Sequence, residues 1–260
     1  MNKNKPITVS RLLAGSVAAA LLTFAGLAAV PAGAQMTQSA PTADHTKFES
    51  LKGPFESAPE VTKACLECHT EAGKQVMESI HWTWDFEHPV TGQRLGKQRV
   101  INAFCGNLPA NEPRCTSCHA GYGWEDETFD AADQSAMAQS RVDCLVCHDT
   151  TGDYWKFPPL AGLPTDKPRE WPGGSGKMVN PPDLPRIAQD VGASDRQNCG
   201  SCHFYGGGGD GVKHGDLDSS LVNPPRSLDV HMSPDGLDFA CADCHSTWGH
   251  NVSGSRYQAT

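Results

Sequence analysis

"VDCLVCHDTTGDYWKF", residues 142–157, contains the pattern that decides how this chain folds. Cys144 and Cys147 are three positions apart, so one helical turn puts both thiols on one face, with His148 next to them. Two thiols placed this way form thioethers to the vinyl groups of a haem, and the histidine that follows lies under the iron. The pattern occurs five times: CLECH (65–69), CTSCH (115–119), CLVCH (144–148), CGSCH (199–203) and CADCH (241–245). Paired C-x-x-C motifs also hold zinc, and exported cysteines form disulfides, but neither needs a histidine after every second cysteine. The reading is five covalently bound haem c groups. They are attached through Cys65 and Cys68, Cys115 and Cys118, Cys144 and Cys147, Cys199 and Cys202, and Cys241 and Cys244. Their proximal ligands are His69, His119, His148, His203 and His245.

The chain has 11 histidines, so six remain outside the motifs. Five haems with two imidazoles each would use five of them, which suggests mostly bis-histidine, low-potential haems. His81, His88, His214, His231 and His250 are the expected distal ligands. His45, in a polar stretch, is expected to be free. His81 lies 12 residues past His69, on a helix predicted from about Glu60 to Trp84. Met232 follows His231 and is a weaker substitute, because methionine more often packs.

Residues 1–34 read as an export signal: Lys3, Lys5 and Arg11, then the apolar "LLAGSVAAALLTFAGLAAV", then small residues up to Ala34. An uncleaved anchor is the alternative, since the apolar stretch approaches spanning length; Pro31 and the A-x-A pattern favour cleavage. No later segment is apolar enough to span a membrane, so the mature protein is expected in the periplasm or outside the cell. Without the three signal cations the balance is 18 basic against 30 acidic residues, or −12, which argues against a nucleic-acid partner. Residues 35–59 read as a flexible leader and 60–260 as one haem-packed domain.

The motif starts are 50, 29, 55 and 42 residues apart, too irregular for tandem modules. An alanine-rich run before the third motif predicts a short helix, and the prolines of 157–186 predict a long loop without central strand or long helix. No strand pattern is convincing. The expected fold is mainly α with extensive coil and little or no β: short helices and long loops around haems, which themselves supply much of the apolar interior.

Lys156 lies between Trp155 and Phe157, with two prolines following. A lysine that binds iron must be neutral, and desolvation and a ferric charge both disfavour the ammonium form. The residues alone favour a snorkelling surface lysine. Cys105 is the eleventh, unpaired cysteine. A thiolate attacks sulfur–sulfur bonds, although a small buried hydrophobe is the plainer reading. Asp153, Asp210, Asp216 and Asp218 would deliver protons or bind calcium; loop aspartates are more often turn formers.

"ESIHWTW", "CTSCHAGYGW", "VDCLVCHDTTGDYWKFP", "CGSCHFYGGGGDGVKHGDLD" and "DVHM" together resemble the octahaem tetrathionate reductase family, from about residue 60 onward. The resemblance implies a periplasmic reductase with mostly bis-histidine haems and one haem completed by a lysine amine, where tetrathionate, nitrite or hydroxylamine reacts. It points to Lys156, at the second haem, with Lys97 in reserve; Asp153 and Cys105 join Lys156 as catalytic candidates. Five motifs against the family's eight leave three readings open: a reductase, a five-haem electron carrier, or one component of a longer conduit. Expected partners are a quinol dehydrogenase or periplasmic cytochrome as donor, and a second cytochrome subunit or a second copy of the chain. Intact mass of the exported protein should exceed the mature polypeptide by five haem masses; a lower saturated count would contradict the motif reading.

Overall fold

Aspartates start the helices that carry several of the cysteine motifs. The computed structural model describes residues 42–97, 113–171, 174, 176–204, 210 and 217–253. In it, Asp143 precedes Cys144–His148 and accepts the Val146 N–H at 3.1 Å. Asp195 precedes Arg196–His203 and accepts from Gln197 and Asn198 at 2.8 Å each, while the Asn198 side chain accepts the Asp195 N–H at 2.9 Å. Asp183 caps Leu184–Gln189, whose first turn contains Pro185, where the missing N–H leaves nothing unpaired. Helices this short satisfy few of their own backbone groups, so each cap stabilises by about 1 kcal/mol.

In chain order the helices are α1 (Ala58–Leu66), α2 (Ala72–Glu78), α3 (Ile80–Thr83), α4 (Ala136–Gln139), α5 (Cys144–His148), α6 (Leu184–Gln189), α7 (Arg196–His203) and α8 (Cys241–Cys244). Three antiparallel hairpins stand between them: β1 (Phe86–Glu87) with β2 (Arg94–Leu95), β3 (Arg169–Glu170) with β4 (Met178–Val179), and β5 (Thr247–Trp248) with β6 (Asn251–Val252). The mainly helical reading with extensive coil agrees with this. The hairpins depart from the expectation of little or no β, and each closes a loop with two residues per strand.

The single helix expected from Glu60 to Trp84 is three helices. α1 stops at Leu66, inside the first attachment motif. α2 stops at Ser79, whose N–H and hydroxyl both donate to the Val76 carbonyl and whose backbone is extended (φ −80°, ψ 161°). Local bonds from serine compete with helix continuation in this way. The 157–186 stretch is likewise not one loop: it contains a 3-10 turn at Pro158–Leu160, the β3–β4 hairpin and the start of α6. Residues 42–59, expected as leader, hold two 3-10 turns, and Leu51 is buried.

Two small apolar clusters form the interior. One gathers Leu51, Val61, Tyr122, Leu145, Tyr154 and Ile187; the other gathers Met77, Trp82, Ala138 and Val142. Polar links tie the motif segments together across them. Thr62 donates to the Val142 carbonyl at 2.6 Å, and Gly121 bridges Val142. Arg196 on α7 grips the Val222 and Phe239 carbonyls at 2.9 and 2.7 Å and the Asp238 carboxylate at 2.9 Å. Among the described residues no helix is long and apolar enough to cross a membrane.

Ile187 is 0% exposed. Ile187→Ala is expected to lower stability by about 2–5 kcal/mol in denaturant titrations, through lost burial and a residual cavity, whereas Leu237→Ala at the surface should change it by less than about 0.5 kcal/mol.

Candidate functional site with facing histidines and a buried lysine

Among the described residues, three pairs of imidazole rings face each other. His45 and His69 have ring centres 6.3 Å apart, His81 and His203 6.4 Å, and His148 and His250 6.4 Å. Each pair joins one motif histidine to one histidine outside the motifs. Two imidazoles bonded at about 2 Å to opposite sides of one metal ion put their ring centres about 6.4 Å apart. The interplanar angles are 19°, 89° and 79°.

The ring nitrogens are arranged to match. An axial histidine offers one nitrogen to the metal and anchors the other on a carbonyl or carboxylate. His148 Nδ1 bonds the Gly192 carbonyl at 2.8 Å, His245 Nδ1 the Ser253 carbonyl at 3.0 Å, and His250 Nδ1 the Gln75 side-chain oxygen at 2.8 Å. His119 is the exception: it is fully buried, its Nε2 bonds the Trp82 carbonyl at 2.7 Å, and its Nδ1 is the unpartnered nitrogen. Burial pushes the pKa values of His81, His203 and His250 down, and that of His119 down to about 4. These rings are therefore neutral, with a lone pair for a metal.

The motifs adjoin one another. Cys65 neighbours Cys144, Cys118 neighbours Cys202 and Cys199 neighbours Cys241, each thiol shifting its neighbour's pKa. The Asn198 side chain donates to the Asp149 carbonyl at 2.9 Å, which ties α7 to the end of α5. Buried donors also stand without partners: Trp82 Nε1, Trp124 Nε1, Thr165 Oγ1 and Arg169 Nε. A haem brings two propionate carboxylates that accept such bonds. Paired thiols, facing imidazoles and unspent donors fit haem c.

The second motif has distinct surroundings. Trp82, Trp84, Trp124 and Phe129 surround His119, with ring centres 4.5–5.5 Å away. Lys156 reaches the same place. Its amine is 2.9 Å from the Asp143 carboxylate, and their side chains are 7% and 0% exposed. It lies 5.2 Å from the centre of the Tyr122 ring, and its charge acts on Cys118, His119, Cys147 and Cys202. Gly162, at φ +93°, makes this possible: a Cβ there would sit 2.6 Å from Lys156 Cε and 2.8 Å from the Ser117 carbonyl of the motif.

The other sequence candidates are distributed differently. His45 is not isolated in a leader; its ring is opposite His69. His81 faces His203 rather than serving its own neighbour in sequence. His88 accepts two backbone N–H bonds at 3.2 Å, and His231 stacks on Phe239, 6.4 Å away. Met232 is bonded through its N–H to Asp229. Lys97 lies 4.9 Å over the Trp84 ring. Asp153 is not turned toward Lys156: its side chain is exposed and paired with Arg186. The buried carboxylate is Asp143, which the sequence reading passed over although its place directly before Cys144 marks it as a cap. Asp210 and Asp218 bond to Ser219 and Ser220. No group of three His, Cys, Asp or Glu side chains able to hold a metal ion comes together among the described residues, which leaves calcium without a site there. Cys105, His214 and Asp216 lie outside the described residues.

Comparison with known proteins agrees with this chemistry. The family profile for cytochrome c554 and c-prime matches residues 64–149. The solved octaheme cytochrome c from Shewanella oneidensis is 47% identical, with a TM-score of 0.64, over 82% of this chain and 43% of that one. The chain thus spans less than half the length of that relative. An uncharacterised protein of Archaeoglobus fulgidus is 23% identical over 246 residues, 80% of this chain and 79% of that protein. The chain is thus similar to multihaem c-type cytochromes over most of its length, and its five C-x-x-C-H motifs fit the covalent attachment of haem.

If the facing rings share an iron, His45→Ala, His81→Ala and His250→Ala should each convert one low-spin haem to high spin in electron paramagnetic resonance. A His45→Ala spectrum identical to that of the parent would separate His45 from His69.

Proposed function

We propose that this cytochrome is a periplasmic reductase in which Lys156 completes the coordination of the second haem, and that a small sulfur or nitrogen compound of the tetrathionate, nitrite or hydroxylamine type is reduced there. The observation that supports it is the Lys156 amine, 7% exposed and adjoining the motif of Cys115, Cys118 and His119. The substrate class comes from the family resemblance alone.

Haem bound at that motif would supply the redox chemistry. His119 would hold it from the motif side. Lys156 provides a displaceable ligand, since an amine binds iron only in its neutral form and competes with incoming anions. Tyr122 and Tyr154, hydrogen-bonded to each other through their hydroxyls, fill the space around the amine and exclude water. The adjoining motifs serve as the electron path, from a periplasmic cytochrome or quinol dehydrogenase as donor.

Lys156→Ala should open one iron to nitrite, detected as a new nitrite-dependent change in the ferric electron paramagnetic resonance spectrum, and should alter substrate reduction far more than electron uptake from a small donor. Lys156→Arg should behave like alanine, because the guanidinium stays protonated. Unchanged spectra in both variants would leave an electron carrier without a reaction site.

A further inference from the structure

Asp143 directly precedes the third attachment motif and is bonded to that motif and to the residue that follows the second. One carboxylate oxygen accepts the Val146 N–H at 3.1 Å and so caps α5, which carries Cys144, Cys147 and His148. The other accepts from the Lys156 amine at 2.9 Å. Its backbone N–H donates to the Ala120 carbonyl at 2.9 Å, one residue past His119. The hydroxyls of Tyr122 and Tyr154 are bonded to each other beside it, and the Asp143 charge helps raise the pKa of both. The Asp143 side chain is 0% exposed, so each of these contacts is dry. Gly162 leaves room for the lysine stem that a Cβ there would meet.

We propose that Asp143 is the positioning residue for Lys156. It accepts one N–H of the amine and thereby aims the nitrogen lone pair at the iron of the haem attached through Cys115 and Cys118. The proposal rests on the reading of Lys156 as an axial ligand. A lysine side chain has four rotatable bonds, and burying one in a single rotamer opposes folding through lost entropy. A carboxylate behind the amine fixes its direction, as a carboxylate behind a metal-bound imidazole fixes the ring. Because the same carboxylate starts α5, one side chain sets the geometry at two neighbouring haems. A purely structural ion pair would have the same distances and burial, so the test must read the iron.

The test uses the holoprotein with its full haem complement. Asp143→Asn and Asp143→Ser both keep a good cap for α5. Asparagine loses the charged acceptor, and serine is too short to reach the amine. The reference is the ferric signal lost in Lys156→Ala. In both Asp143 variants that signal should shift or become partly high-spin. Cyanide should then displace the ligand at about 10- to 100-fold lower concentration, the range by which losing a partner behind a metal ligand weakens binding. A Lys156→Ala spectrum identical to the parent would remove the lysine ligand, and the positioning role with it. If Lys156→Ala opens an iron while both Asp143 variants keep the parent signal and cyanide response, ligation stands and the positioning role fails. Loss of haem from the third motif in both variants would make Asp143 a structural residue and overturn the proposal.

Discussion

The rest of the structure depends on imidazole rings from distant parts of the chain meeting, His81 facing His203 and His148 facing His250. To share one metal ion, residues more than 100 positions apart would have to meet to within a fraction of an ångström. The apolar clusters are too small to impose that accuracy. The loops do it by hydrogen bonding: the Gly192 carbonyl holds His148, Gln75 holds His250, and Arg196 fastens the segment ahead of α8. Short helices begun by aspartate caps are enough, because each has to present only one motif. The caps of α5 and α7, Asp143 and Asp195, lie within a few residues of a motif cysteine.

The surroundings of Lys156 are organised around a single charge. A buried ammonium or amine is strongly disfavoured without a partner, and removing one partner of a buried ion pair typically destabilises by about 3–5 kcal/mol. Asp143 meets that need from the cap position of α5, where its other oxygen is already occupied by a backbone N–H. Tyr122 and Tyr154 add hydroxyls, and burial is the largest cause raising the pKa of both well above the ordinary phenol range, so they act as neutral donors. A lysine confined in this way differs from the exposed Lys47 and Lys74, which form only local surface pairs.

The five attachment motifs could be read from the sequence because each is contiguous, five residues carrying both thiols and the histidine. The mainly helical, coil-rich architecture followed from the proline and glycine content and the lack of strand alternation. Partner choice among the histidines was not legible, since it depends on tertiary proximity that no local pattern encodes. His45 was misread because polar neighbours look like leader, while Leu51 a few residues later is buried beneath α6. The break at Ser79 escaped because neither glycine nor proline marks it; a serine hydroxyl does the work. Asp153 was chosen over Asp143 on nearness in sequence to Lys156. In space the chain turns Asp153 outward to Arg186 and folds Asp143 back across thirteen residues to the amine. The hairpins are too short for any periodicity to register.

The pairing of His148 with His250 also sets a timetable. A polypeptide emerging N-terminus first can bring His45 to His69 almost at once, across a loop of 24 residues. His148 must wait for another 102 residues before its opposite ring exists. Closing so long a loop is slow, because the chain entropy is lost before the contact forms. During that interval the third motif, whose Cys144 neighbours Cys65 of the first and whose Cys147 neighbours Cys199 of the fourth, would stand without its opposite ring.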